Sequence, residues 1–346
     1  MRLLIGMILT LKATFGSSEV FYDDFSFGKM ALHYHNRNQV WAESQVAGVE
    51  GTVDTNPPGT REFTRKIESL SNFGVDRSFG RFGARLNLKS FLSWRKVEST
   101  DASNAVSDEH YARLIPSLDA TYMNPSGLEI SFGSMLWYEK EHEKRLYSSF
   151  LNQTTKYSAA KFSVPRMALI RRGGNWNGGI YYSFGRSIDR SVSLRASDGS
   201  SFNFSETIHS PTEFGIISDF TLFGWLTEFD GAQVQSQSTS GVSTDEKSIE
   251  DDYLRLGIST SIPLGLGYLS LGLGHKTMGY SSNTFATFET IPTSILKVKF
   301  LLGSMDNFLD LGAFYVFGTD KLSIPEANET FSMKAFGASV GLVLSI

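Results

Sequence analysis

The sequence predicts an all-β chain folded as a transmembrane antiparallel up-and-down β-barrel of about twelve strands, with about fourteen as the alternative. Three observations carry that prediction. Aromatic residues make up 13% of the 346-residue chain, and Gly numbers 32 against 9 Pro, a composition that suits sheets. Apolar residues recur at every second position in segments of about 10 to 14 residues, the length of a tilted strand that crosses a bilayer. The connections between these segments alternate between short turns and long polar loops. A soluble two-sheet sandwich or a β-helix shares the alternation and is the competing architecture.

Composition removes other classes. Lys plus Arg (32) nearly balances Asp plus Glu (36), which argues against a polyanion-binding surface. No apolar run long enough for a membrane-spanning helix, about 18 residues, occurs beyond the start of the chain. With no cysteine in the sequence, thiolate metal sites, Cys nucleophiles and disulfides are all excluded.

Met1 and Arg2 precede the apolar stretch Leu3 to Leu11, and the small residues Ala13, Gly16, Ser17 and Ser18 follow. This order is that of a secretory signal peptide, predicted over residues 1–18, although Lys12 interrupts it. Residues 19–78 form an N-terminal segment that supplies either two extra strands or a plug. The barrel proper is predicted over residues 79–346.

Within that span, residues 79–97 place Phe82, Ala84, Leu86, Leu88, Leu92 and Trp94 on one face, and Arg81, Arg85, Asn87, Lys89 and Arg95 on the other. The turn Asn124-Pro125-Ser126-Gly127 joins 111–123 to 128–138, where Ile130, Phe132 and Leu136 alternate with polar or small residues. The stretches 157–170, 179–188, 213–223 and 225–235 alternate less cleanly. Toward the end, Leu254, Leu256 and Ile258, then Leu269, Leu271 and Leu273, then Leu296, Val298 and Phe300, then Leu309, Leu311 and Tyr315 each share one face. In the last segment Phe336, Ala338, Val340, Leu342, Leu344 and Ile346 oppose Gly337, Ser339 and Gly341. Pro116 and Pro165 fall inside predicted strands, and each must sit at a bulge or near a rim.

Long connectors are expected at 98–110, 143–156, 189–212, 236–251, 279–293 and 319–332. Short ones are expected at 124–127, near Gly224, at 264–266 and at 304–307. Short turns on one side and long loops on the other is how transmembrane barrels are built.

The export signal, dyad strands, asymmetric loops and the terminal stretch FGASVGLVLSI together resemble the porin-like outer-membrane β-barrel proteins of Gram-negative bacteria. The resemblance is architectural and covers roughly residues 79–346. Such proteins commonly end in Phe, whereas this chain ends in Ile346 with Phe336 ten residues back. It implies location in the bacterial outer membrane, with outer-membrane lipid, lipopolysaccharide and the barrel-assembly machinery as partners.

With the apolar faces turned to lipid, the pore-lining residues are predicted to be Arg81, Arg85, Lys89, Arg95, Arg113, Asp119, Glu129, Lys161, Arg255, Lys297, Lys299 and Asp310. Cations outnumber anions in this reading, so a preference for anions follows. Barrel closure is expected between 79–97 and the last strand, whose Gly337, Ser339 and Gly341 would leave room for a solute. The function expected is a channel for passive diffusion of small hydrophilic, anionic solutes. A filled barrel that displays its loops to partners is the alternative, with the same cations paired inside a packed interior.

A rim hydrolase is a third reading, carried by His209-Ser210 and by Asp108-Glu109-His110. Neighbours on a strand point to opposite faces, which weakens it. The acidic stretch with Asp245, Glu246, Glu250, Asp251 and Asp252 offers a divalent-cation or lipopolysaccharide contact, with plain solvation as its default reading. No catalytic residue, metal ligand or cofactor is assigned.

Overall fold

The computed structural model describes residues 38–54, 61–99, 106–147, 152–209, 212–223, 225–240, 247–282, 285–288, 293–304, 307–324 and 327–346. The predicted signal peptide and residues 19–37 lie outside these.

The strands are β1 (Gln39–Asp54), β2 (Arg61–Phe79), β3 (Phe82–Ser99), β4 (Val106–Met123), β5 (Leu128–Tyr147), β6 (Asn152–Arg172), β7 (Trp176–Ser183), β8 (Ser187–Ala196) and β9 (Ser201–His209). They continue as β10 (Thr212–Leu222), β11 (Trp225–Ser240), β12 (Lys247–Leu264), β13 (Gly267–Ser282), β14 (Phe285–Phe288), β15 (Thr293–Gly303), β16 (Phe308–Ile324) and β17 (Ala327–Ser345). All of them join one antiparallel sheet, and β1 pairs with both β2 and β17, which closes it. Three wall strands are each interrupted once: β7 with β8, β9 with β10, and β14 with β15 occupy single positions in the wall. The barrel therefore has 14 strands, the alternative count.

Closure differs from the expectation. β1 seals the barrel against β17, in register from Gln39↔Ser345 to Asp54↔Thr330, while β3 lies between β2 and β4. β1 and β2 are thus two wall strands. Their lipid face is punctuated by Ser44, Gly48, Ser69 and Ser71, so the alternation is diluted there.

Outward faces follow the predicted dyads. Phe82 (64% exposed), Leu92 (54%), Leu118 (56%) and Phe132 (61%) stand on the outside, where a continuous apolar surface of this kind is stable only against hydrocarbon. From Phe82 to Trp94 the rise is about 30 Å at 3.3 Å per residue with a tilt near 40°, enough to cross an outer-membrane bilayer. Aromatic side chains edge the belt: Phe79, Phe82, Trp176 and Trp225 on the short-turn side, Trp94 and Tyr138 on the other.

The strands run further than the hydropathy does. β5 and β6 extend to Tyr147 and from Asn152, and β8 and β9 fill most of the 189–212 stretch expected to be a loop. Above the membrane both faces are wet, so the dyad disappears from the sequence while the backbone ladder continues.

Both internal prolines mark breaks in that ladder. Pro116 pairs with Leu88, but the register between β4 and β5 skips Ile115 and Pro116. Pro165 ends a longer gap. β6 pairs with β7 at Arg166↔Ser183 and with β8 at Ala159↔Ser191, registers that differ by one residue, and residues 160–165 have no ladder partner on that side. The Phe184 N–H donates to the Pro165 carbonyl at 2.8 Å across this bulge. Inward-facing parity consequently switches between Ser183 and Ile188.

Candidate functional site: the barrel lumen

The inner face of the barrel carries many charges, and ion pairs join a series of them across neighbouring strands. In the half nearer the short turns, Arg85 Nη2 lies 2.7 Å from Asp76 and 3.7 Å from Glu129, and Arg172 Nε lies 2.8 Å from Glu129. Arg166 forks onto Asp119, with Nε to Oδ1 at 2.7 Å. On the facing wall Lys299 sits 2.7 Å from Asp310 and 3.4 Å from Glu43, so β15, β16 and β1 are tied together. Arg255, 2% exposed, lies 3.3 Å from Asp230 and 3.5 Å from Glu213, and donates to the Tyr181 hydroxyl at 3.0 Å. Tyr181 donates in turn to Glu213 at 2.6 Å.

Higher in the barrel, Arg95 pairs with Glu109, and Arg113 and Arg190 both approach Glu139, at 3.6 and 3.4 Å. Lys156 lies 3.8 Å from Glu141, which also accepts from the Ser158 hydroxyl at 2.7 Å. Each contact satisfies a charge that burial would otherwise make costly.

Between these two charged levels, the wall from β3 to β8 turns apolar side chains inward. Trp137 and Phe162 are directly opposed on β5 and β6, and their rings stack with centroids 5.4 Å apart. Ala160, Phe162 and Val164 form a buried cluster against which Met135, Trp137 and Ile188 pack. The Arg113 guanidinium lies over Trp137 at 4.3 Å and over Tyr111 at 5.1 Å, and Tyr111 meets Phe91 edge-on at 5.9 Å. This aromatic patch sits at the level of the gap in the β6 ladder, because Phe162 and Val164 belong to the residues without ladder partners on that side.

Placement of the predicted pore-lining residues is mixed. Arg85, Lys89, Arg95, Arg113, Asp119, Glu129, Arg255, Lys297, Lys299 and Asp310 all face inward. Two do not. Arg81 lies in the exposed β2–β3 turn, where its carbonyl accepts from the Met123 N–H. Lys161 projects outward from β6, its ammonium 5.2 Å from the Tyr138 ring, because even-numbered residues of β6 face the lumen.

Among the described residues the expected cation excess is absent. Glu43, Glu68, Asp76, Glu213, Glu228 and Asp230, all inward, escaped the sequence-based tally. Most lie on strands whose dyad was weak or unassigned, so their facing was illegible. The room expected beside Gly337 and Gly341 is also taken. A Cβ on Gly337 would collide with the Phe314 ring, and Gly341 faces Asp310. Beside these groups remains a void of about 90 Å3 touched by Glu43, Asp230, Lys297, Lys299 and Asp310, room for a few waters.

The Asp108-Glu109-His110 candidate is split between the two faces of β4. Glu109 points inward to Arg95, whereas His110 stands on the exterior, 3.6 Å from Asp108. Ser210 lies outside the described residues, as do Asp245 and Glu246.

No family model matches the sequence, and no curated protein matches it either. Solved structures do. A Pseudomonas aeruginosa FadL homologue superposes with a TM-score of 0.62 at 9% identity, over 89% of this chain and 90% of that one. A deletion mutant of TodX, described as a monoaromatic hydrocarbon channel, gives 0.58 at 11% identity, over 90% and 91%. The Ralstonia pickettii toluene transporter TbuX gives 0.51 at 9% identity, over 89% and 90%. The closed wall and its apolar outer belt define a membrane-spanning β-barrel, and these outer-membrane transport proteins share its fold.

Proposed function

We propose that the barrel is an outer-membrane channel for small apolar molecules of aromatic size, held in transit on the lumenal patch of Phe91, Tyr111, Trp137 and Phe162. One observation carries this reading: a stacked aromatic pair faces the interior within an apolar cluster, and the charged groups beside it, Arg113, Arg190 and Glu139, are ion-paired. A hydrophilic solute gains nothing from Trp137 and Phe162, while an apolar one is desolvated against them. Two of the structural neighbours, a monoaromatic hydrocarbon channel and a toluene transporter, point the same way. The anion-pore reading loses support, because Arg85, Arg95, Arg113, Arg255 and Lys299 have carboxylate partners and Arg81 and Lys161 lie outside the lumen.

Uptake of radiolabelled toluene by cells expressing the protein tests the proposal. Trp137→Ala and Phe162→Ala should each lower uptake roughly two- to ten-fold, the range expected for one ring contact. Arg195→Gln, on the outer face of β8, should leave it unchanged. Uptake equal in all variants and in cells without the protein would defeat the proposal.

A further inference from the structure

The outside of the barrel carries a second constellation that the channel does not use. Just above the apolar belt, four strands present one cross-strand row of rings: Trp94 on β3, His110 on β4, His142 on β5 and Tyr157 on β6. His110 and His142 stack at 6.2 Å and His142 and Tyr157 at 4.7 Å, while Trp94 Nε1 is fixed to Asp108 at 2.6 Å. One row nearer the belt, Lys140 stands between Ala112 and Ala159, its directly paired neighbours. The two alanines make a low floor, and the recess over it is lined by Leu92, Trp94, His110, Lys140, His142 and Tyr157. Below the floor come Leu114, Tyr138 and the outward Lys161, and then the greasy belt itself. Lys96 and Lys144 flank Asp108 one row above the rings.

We infer that this exterior recess binds lipopolysaccharide, the phosphorylated glycolipid of the outer leaflet. The strand extensions beyond the apolar belt mark this end of the barrel as the outer-leaflet side. Cations at the hydrocarbon border, with their stems on apolar surface, are placed to meet headgroup phosphates. Lys140 and Lys161 hold that position, the ring row gives a flat polar-edged wall for the sugars, and Leu92, Leu114 and Leu136 continue downward as a track for acyl chains. The recess therefore joins charge, floor and hydrocarbon track in the order in which this lipid presents its parts.

Thermal unfolding of the purified protein in detergent, followed by heat-modifiable gel migration, reads the interaction, since a ligand that binds only the folded state raises its unfolding temperature. Added lipopolysaccharide should raise that temperature for the wild type and for Arg195→Glu, a control charge reversal on β8. The shift should vanish for Lys140→Glu/Lys161→Glu and shrink for Ala112→Trp, which fills the floor without changing charge. If the double reversal fails to fold, Lys140→Gln supplies the same reading. An equal shift from phosphatidylglycerol vesicles, or an undiminished shift in the Lys140 variants, would overturn the inference.

Discussion

Arg85 and Asp76 face each other directly across β2 and β3, with 2.7 Å between Nη2 and Oδ2 and side chains only 5% and 1% exposed. Breaking such a pair leaves a buried charge without compensation. Asp76→Ala should lower stability by about 3 kcal/mol, at the low end of that range because Glu129 also approaches Arg85. Urea unfolding checks this, and a double-mutant cycle with Arg85→Met should give a coupling energy of at least about 1 kcal/mol.

Gly337 lies beneath the Phe314 ring, which occupies the place its Cβ would need. The close approach lets β16 lay an aromatic ring across β17 inside the barrel. Gly337→Val should displace the ring and cost about 1–3 kcal/mol, measured as a lower unfolding temperature. Gly48→Val, on the outer face with open space around it, should be tolerated in the same assay.

The turn from β8 to β9 provides a pH test outside the membrane. Asp198 accepts from the Ser200 hydroxyl at 2.6 Å and the Ser200 N–H at 2.8 Å, and these bonds hold its carboxyl below the ordinary carboxylate pKa. A lowered folded-state value means the turn gains stability above the unfolded pKa and loses it as pH falls through the folded one. Ser200→Ala should move the Asp198 titration upward toward the ordinary value in an NMR pH series.

Ion pairing makes the lumen nearly neutral in its field, so no strong discrimination between small ions is expected. In planar bilayers under a KCl gradient, any conductance should show a reversal potential close to zero. A marked shift toward the chloride potential would revive the anion-pore reading.

The wall was legible in the sequence where one face meets lipid. Strands β3, β12, β13, β15, β16 and the end of β17 follow the predicted dyads because Leu, Val and Phe there have a single environment to satisfy. Legibility failed in three places for physical reasons. β1 and β2 dilute their lipid face with Ser and Gly, so closure was assigned to β3. The extensions of β5, β6, β8 and β9 beyond the apolar belt have no lipid face and read as loops. The parity switch at Phe184 to Arg186 puts β7 and β8 out of phase, and the weak alternation of β6 hides that Lys161 faces outward. Prolines were the better signal, since both Pro116 and Pro165 fall on ladder breaks.

Within the lumen, charge types were visible but pairings were not. Partners such as Arg166 and Asp119 are 47 residues apart, a separation no local pattern encodes. The aromatic patch was missed because Trp137 and Phe162, with Met135, Ala160 and Val164, fall where the dyad of β5 and β6 is weak and carry no motif. An aromatic residue on the wet face of a membrane strand was the available signal.

The most direct test exploits the absence of native cysteine. Single-cysteine variants from Leu86 to Phe91, each carrying a nitroxide spin label, should be reconstituted in lipid and probed with oxygen and with a water-soluble nickel chelate. Labels at Leu86, Leu88 and Ser90 should collide preferentially with oxygen, and those at Asn87, Lys89 and Phe91 should not, giving a period of two. Uniform accessibility to the nickel reagent along the strand, or the opposite phase, would contradict the assignment of lipid outside and lumen within.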